Sequence, residues 1–168
     1  AVDIAEASDG RFGPSPRSVF DEWDDFTGWA ATDEFGQGQS FDDTDLDAPV
    51  PEPRQIFAIG LNYRDHADEA NLGHPDDLVV FTKFMSSLAS PRAEVEVTSD
   101  KVDYETELVV VIGRETHRAD LKTAYEAIAG FAVGQDYSDR GVQLRGPVPQ
   151  FSLGKSFPNF SPFGPTVA

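Results

Sequence analysis

The 168-residue sequence contains no cysteine and no long apolar run. The absence of cysteine excludes disulfide bonds, thiolate catalysis and zinc sites built on cysteine. Because no stretch of about 18 apolar residues occurs, the sequence predicts no transmembrane helix. The first residues lack the charged start and the apolar stretch of a signal peptide, so we expect a soluble cytoplasmic protein.

Basic residues are also scarce. The sequence has 13 Lys and Arg against 30 Asp and Glu, and residues 1–50 alone hold 13 acidic and two basic residues. Nucleic acids and anionic membranes are bound by clustered Lys and Arg, so neither is expected as a partner. We interpret the acidic surplus as a solvated face that aids solubility, with adaptation to a high-salt habitat as the alternative.

Residues 1–53 are predicted to form an N-terminal region and linker. Residues 2–7 could form a short strand, and residues 16–31 have the apolar spacing of a helix with Ser18 as its candidate cap. A stiff proline-rich connector ends the region, and we place the domain boundary there, at Pro49, Pro51 and Pro53.

Residues 54–168 alternate short strand and helix patterns, which predicts the α+β class. Strands are predicted over residues 56–60, 78–84, 94–98 and 104–113. The second half of the last strand is continuously apolar, so it should be central in its sheet. Helices are predicted over residues 64–71 and 119–128, and Gly130 is a plausible stop signal after the second helix.

The sharpest local feature is the pair Glu105 and Glu107 on the predicted strand over residues 104–113. Residues i and i+2 of a strand point to one face, so the two carboxylates should lie side by side. Two like charges beside an apolar core are costly to desolvate, and a bound divalent cation removes that cost. Carboxylates without thiolates suit Mg²⁺, Mn²⁺ or Ca²⁺. The alternative is a solvent-facing pair on an edge strand.

Two further single residues could belong to a site. Asp136 follows Gln135 at the end of an apolar run, where an acidic residue is either a third metal ligand or a turn residue. Lys155 lies in a stretch rich in Gly and aromatic residues. A lysine in such a setting can bind a carboxylate or stabilise an enolate.

A second candidate pair is His66 and Glu69, on the predicted helix over residues 64–71. Residues at i and i+3 of a helix are neighbours, so the carboxylate could orient the imidazole as a general base. The alternative is a pair on the helix surface.

Together these features resemble the fumarylacetoacetate hydrolase family. The matching segments stand in the family's order between residues 54 and 165: residues 59–69, 81–83, 102–113, 129–143 and 155–165. The resemblance implies a mixed β-sheet roll with peripheral helices, an incomplete catalytic domain over residues 54–168, and a homodimer. It also implies further strands and a Thr-Gly-Thr-Pro-type substrate loop after Ala168.

The resemblance also implies roles for individual residues. Mg²⁺ or Mn²⁺, with Ca²⁺ as a further candidate, would be bound by Glu105, Glu107 and Asp136. His66 with Glu69 would be the base that activates water or moves a proton, and Lys155 would contact the substrate or its enolate. Three more residues would contact the substrate carboxylate or the outer shell of the metal: Lys83, Arg140 and Gln143.

The reaction implied by the resemblance is cleavage of a C–C bond in an acylpyruvate-like or 1,3-dicarbonyl acid by a divalent-metal-dependent hydrolase or lyase. One alternative is an isomerase or dehydratase acting on hydroxy-dienoates or deoxy-keto sugar acids, and another is a catalytically inert relic of the family. Gly141 stands where the family commonly has Asp, and Gln135 where it commonly has Asn. We interpret both departures as marks of a subgroup.

Overall fold

The computed structural model describes residues 1–32, 35, 38–69, 73 and 75–168, and for residues 66, 67 and 69 it describes the backbone alone. The N-terminal region includes the helices α1 (Ile4–Ala7), α2 (Pro16–Asp21) and α3 (Trp23–Ala30).

Two N-terminal predictions are wrong in detail. A strand was predicted over residues 2–7, but Asp3 caps a helix there, because its carboxylate accepts a hydrogen bond from the N–H of Glu6 at 3.0 Å. The helix predicted over residues 16–31 is divided at Glu22, whose φ of −122° is not helical. The cap of α2 is Ser15, which accepts from the N–H of Arg17, and not Ser18.

The N-terminal region packs against the end of a long strand in the second half of the chain. Trp23 lies so close to Gly113 that a Cβ added to that glycine would be 3.0 Å from the indole ring. Beside this contact, Nε of Arg114 donates to Oδ1 of Asp24 at 2.8 Å. Behind it, Phe12 is 1% exposed and lies edge-on to the ring of Phe26.

The strands pair two by two within the described residues. Strand β1 (Phe57–Gly60) runs antiparallel to β2 (Val79–Thr82), and β3 (Leu88–Ala89) runs parallel to β8 (Ser161–Pro162). Two more antiparallel pairs join β4 (Val102–Asp103) to β7 (Ser138–Asp139) and β5 (Thr106–Ile112) to β6 (Ile128–Gln135). The result is a mixed α and β architecture.

The β5–β6 pair differs from the sequence prediction in how it is buried. Val111 is 8% exposed, but its neighbours Val110 and Ile112 are 43% and 57% exposed, so within the described residues this half-strand has one buried face and pairs with β6 alone. Gly130 does not end a helix but lies inside β6, where Val167 packs too close for any side chain. No strand forms over residues 94–98, all of which the structure describes.

The remaining helices are short and lie between the strands. They are α4 (Arg64–Glu69), α5 (Leu121–Glu126), α6 (Arg140–Gln143) and α7 (Phe151–Gly154). A small core forms where Ala48, Ala132 and Phe163 meet, and Val109 packs against it. Within the described part of the chain, no helix is both long and apolar enough to cross a membrane.

Candidate metal centre

Three carboxylates converge where the β5–β6 ladder begins. Thr106 pairs with Gln135 in the ladder, and the N–H of Asp136 donates to the carbonyl of Glu105 at 2.8 Å. This register places Asp136 beside the two glutamates that alternate along the other strand. One ligand oxygen from each of Glu105, Glu107 and Asp136 lies within 4.8 Å of the others. The structure thus brings together the three residues that the sequence predicts as metal ligands.

Lys155 places a buried ammonium group against this cluster. It follows the last residue of α7, and its side chain is 3% exposed. Its Nζ donates to Oε2 of Glu105 at 2.8 Å, to Oδ2 of Asp136 at 2.7 Å and to Oγ of Ser138 at 2.7 Å. Lys155 therefore holds two of the three carboxylates of the cluster together.

Lys83 places a second buried ammonium group on the same cluster. It follows β2, is 5% exposed, and donates to Oδ1 of Asp136 and to the carbonyl of Phe160, the latter at 3.1 Å. Burial lowers the pKa of Lys83 to about 8, because the charge of Asp136 offsets only part of the desolvation cost. Lys83 thus contacts a proposed metal ligand directly.

Arg140 holds Glu105 from the other side. Its Nη2 lies 2.6 Å from Oε1 of Glu105 and 2.9 Å from Oδ2 of Asp103, and its Nη1 donates to Oε1 of Gln143 at 3.0 Å. Burial raises the pKa of Glu105, but the hydrogen bonds and charges of Lys155 and Arg140 outweigh burial and hold that pKa below its ordinary value. The guanidinium group is thus engaged by protein partners that fix Glu105.

The predicted base is the pair His66 and Glu69, of which the structure describes the backbone alone. His66 and Glu69 stand at i and i+3 of α4, but their side chains fall outside the described residues. Their role therefore remains a prediction from the sequence.

Two residues of the cluster were missed by the sequence reasoning. Asp103 extends the alternation of Glu105 and Glu107 by one more acidic residue, and this signal could have been used. Ser138, which contacts Lys155, lies in no pattern that sets a buried serine apart from any other.

The donor set fits a divalent cation that prefers oxygen ligands. Among the residues that the structure describes, carboxylates supply the candidate ligands, and hard cations such as Mg²⁺ bind such oxygens. The cluster brings four carboxylates together with three cationic side chains. These seven residues are Asp103, Glu105, Glu107 and Asp136 with Lys83, Arg140 and Lys155.

Comparison with known families decides the identity. The family model of the fumarylacetoacetate (FAA) hydrolase C-terminal domain matches residues 55–168. The chain belongs to the fumarylacetoacetate hydrolase family. Membership confirms the resemblance drawn from the sequence motifs.

Two curated relatives of this family are similar to the chain. A fumarylacetoacetate hydrolase domain-containing protein 2 homolog of Dictyostelium discoideum is 44% identical over 124 residues, 73% of this chain. The human mitochondrial oxaloacetate tautomerase FAHD2A is 40% identical over 122 residues, 71% of this chain. The chain spans 40% and 39% of the length of these two relatives.

Solved structures of the family have the same fold. A Mycobacterium smegmatis protein provisionally named HpcE has a TM-score of 0.94 and 46% identity, and the match covers 99% of this chain and 60% of that one. A 5-carboxymethyl-2-hydroxymuconate delta-isomerase from the same species has a TM-score of 0.65 and 32% identity, over 79% of this chain and 53% of that one. By their names, the members of the family therefore include isomerases and tautomerases as well as hydrolases.

Proposed function

We propose that this chain carries the metal-binding part of an enzyme that interconverts the keto and enol forms of a small 2-oxo acid. The observation that carries the proposal is the cluster of Glu105, Glu107 and Asp136, whose oxygens lie within 4.8 Å of one another. The names of the human relative, a tautomerase, and of the M. smegmatis isomerase support this reaction over C–C cleavage.

The reaction needs stabilisation of an enolate. A divalent cation on the carboxylate cluster would supply a Lewis acid that polarises the 2-oxo group and acidifies the neighbouring C–H bond. Lys155 adds a buried positive charge at the same cluster, in a place of low dielectric where it stabilises developing negative charge strongly. One proton moves between carbon and oxygen, and no C–C bond breaks.

The surrounding cations keep the cluster assembled. Lys83 holds Asp136, and Arg140 holds Glu105 while being held in turn by Asp103. We propose that Lys83, Arg140 and its neighbour Gln143 act as outer-shell residues, because Lys83 donates to Asp136, Arg140 contacts Glu105, and Gln143 accepts from Arg140. Direct binding of a substrate carboxylate by these residues is the less favoured role.

Cleavage of a C–C bond in an acylpyruvate-like acid is the second candidate. It is favoured by the sequence pair His66 and Glu69, one turn apart on α4, which could activate a water molecule. The same enolate would form in both reactions, so the cluster serves either of them. A hydrolase that used His66 in this way should lose turnover in His66→Ala while keeping its affinity for Mn²⁺.

The experiment is a product analysis on the protein in its full natural length. The enol absorbance of oxaloacetate and of an acylpyruvate panel is followed with Mg²⁺ or Mn²⁺ and again with chelator. Nuclear magnetic resonance of the mixture then separates keto product from cleaved acids. Metal-dependent loss of enol with unchanged carbon skeleton supports the tautomerase. Cleaved acids would favour the hydrolase instead, and an equal rate in chelator would remove the metal from the proposal.

A further inference from the structure

The hydrogen bonds of Lys155 account for all three of its ammonium protons. Its three acceptors, Glu105, Asp136 and Ser138, lie 2.7–2.8 Å from Nζ. An ammonium group has three N–H donors and no acceptor, so this arrangement satisfies it fully. The direction of the ammonium group is therefore set by Glu105 on one segment and by Asp136 and Ser138 on another.

Ser138 differs from the other two acceptors. Its side chain is 0% exposed, and its hydroxyl donates to the carbonyl of Asp136 at 2.9 Å, which turns the lone pairs of Oγ toward Lys155. Its backbone is fixed as well, because β7 pairs Ser138 with Asp103 of β4. The hydroxyl is thus a fixed acceptor that cannot rotate away without losing its own hydrogen bond.

The three acceptors also differ in what else they would do. Glu105 and Asp136 are proposed metal ligands, and a cation would draw on the same carboxylates that now accept from Lys155. Ser138 is the neutral acceptor among the three, with no carboxylate to share. Its hydrogen bond to Lys155 is therefore the one for which a bound cation would not compete.

We propose that Ser138 is a positioning residue that holds the ammonium group of Lys155 in place for enolate stabilisation. The proposal rests on the proposed function for the role of Lys155 in the reaction. The contact itself does not depend on that function. Ser138 acts through Lys155 and need not touch the substrate.

The first test is the substitution Ser138→Ala in the protein of full natural length. We expect kcat to fall by about ten-fold or more, since a buried hydrogen bond to a charged group is lost. KM and the dissociation constant of Mn²⁺ should stay unchanged, because the carboxylates remain. Ser138→Thr keeps the hydroxyl and should restore most of kcat.

Ser87→Ala is the matched control. Ser87 is also 0% exposed, and its hydroxyl lies 2.7 Å from that of Ser161. Neither this contact nor its bond to the carbonyl of Phe84 involves a carboxylate of the cluster. This variant should lose thermal stability to a similar degree and keep its kcat. An equal fall of kcat in Ser87→Ala and Ser138→Ala would overturn the proposal, because general destabilisation would then explain both.

The second test needs no turnover. The side-chain ammonium resonance of Lys155, assigned by its loss in Lys155→Met, is recorded in metal-free and Mg²⁺-loaded protein. In both forms, Ser138→Ala should speed the exchange of the Lys155 ammonium protons with water, and Ser87→Ala should not. Unchanged exchange in Ser138→Ala overturns the proposal whatever happens to kcat. If the parent protein turns over none of the acids, the proposed function fails while this measurement still decides the positioning role.

Discussion

Lys155 and Glu105 stand 50 residues apart in the sequence and form a mostly buried ion pair with an Nζ to Oε2 distance of 2.8 Å, the side chains being 3% and 16% exposed. Removing Lys155 leaves Arg140 as the cationic partner of Glu105 and Lys83 as that of Asp136, so the two carboxylates lose part of their charge compensation in a mostly buried place. The pair thus links the stability of the fold to the chemistry of the cluster.

The substitution Lys155→Met should therefore destabilise the metal-free protein by about 1–3 kcal/mol, because part of the compensating charge remains. Added Mn²⁺ should recover part of this loss, since a bound cation restores positive charge at Glu105 and Asp136. Urea unfolding with and without Mn²⁺ measures both effects. Lys122→Met is the control, because Lys122 is 84% exposed in its pair with Glu126 and should cost less than about 0.5 kcal/mol. Equal losses in the two variants would contradict the buried ion pair.

Two Gly→Ala substitutions should change the stability of the protein in opposite directions, because one glycine is crowded and the other is not. A Cβ at Gly113 would lie 2.8 Å from Cβ of Ala129 and 3.0 Å from the indole of Trp23, so Gly113→Ala should destabilise by about 1–3 kcal/mol. Gly28 lies inside α3 with nothing within 4 Å of an added Cβ. Gly28→Ala should stabilise by about 0.5–1 kcal/mol. Thermal unfolding of both variants checks the pair, and a neutral Gly113→Ala would mean that Trp23 does not dock there.

Asp139 should make the stability of the protein depend on pH. Burial opposes its charged form, but hydrogen bonds from the hydroxyls of Thr98 and Ser99, each 2.9 Å long, and from the N–H of Val142 outweigh burial and lower the pKa of Asp139 below 3.8. A lowered folded-state pKa contributes stability that is present at neutral pH and is lost as pH falls through the folded-state value.

The substitution Asp139→Asn should therefore destabilise the protein at pH 7, and the difference from the parent should shrink as pH falls below about 4. Urea unfolding at both pH values measures it. Asp100→Asn, at an exposed aspartate on the neighbouring turn, should change stability by less than about 0.5 kcal/mol at either pH. A difference for Asp139→Asn that is constant over this range would contradict the hydrogen-bonded carboxylate.

The carboxylate cluster was predicted mainly through the family resemblance. Glu105 and Glu107 alternate on a strand, and Asp136 follows the end of an apolar run, but these patterns alone fitted a solvent-facing pair and a turn residue as well, and the resemblance implied the three as one ligand set. The meeting of Lys83 with Asp136 had no such signal, since the 53 residues between them carry no mark of the contact. Ser138 was missed for the same reason.

The errors in the fold have physical causes. Residues 2–7 contain alternating apolar positions, but Asp3 supplies a helix cap that wins over strand propensity in so short a segment. Gly130 was interpreted as a helix stop because glycine is common there, yet its missing side chain serves the close approach of Val167. The boundary at residues 49–53, the β-sheet roll and the homodimer remain predictions.

Calorimetric titration with Mn²⁺ tests the central claim most directly, namely that Glu105, Glu107 and Asp136 bind a divalent cation. The parent protein is compared with Glu105→Gln, Asp136→Asn and the control Glu115→Gln, which changes an exposed glutamate that follows the opposite end of β5. We expect weaker binding by about ten-fold or more in the first two variants, with folding retained, and parent-like binding in the control. Mn²⁺ binding that is the same in all four proteins would contradict the account.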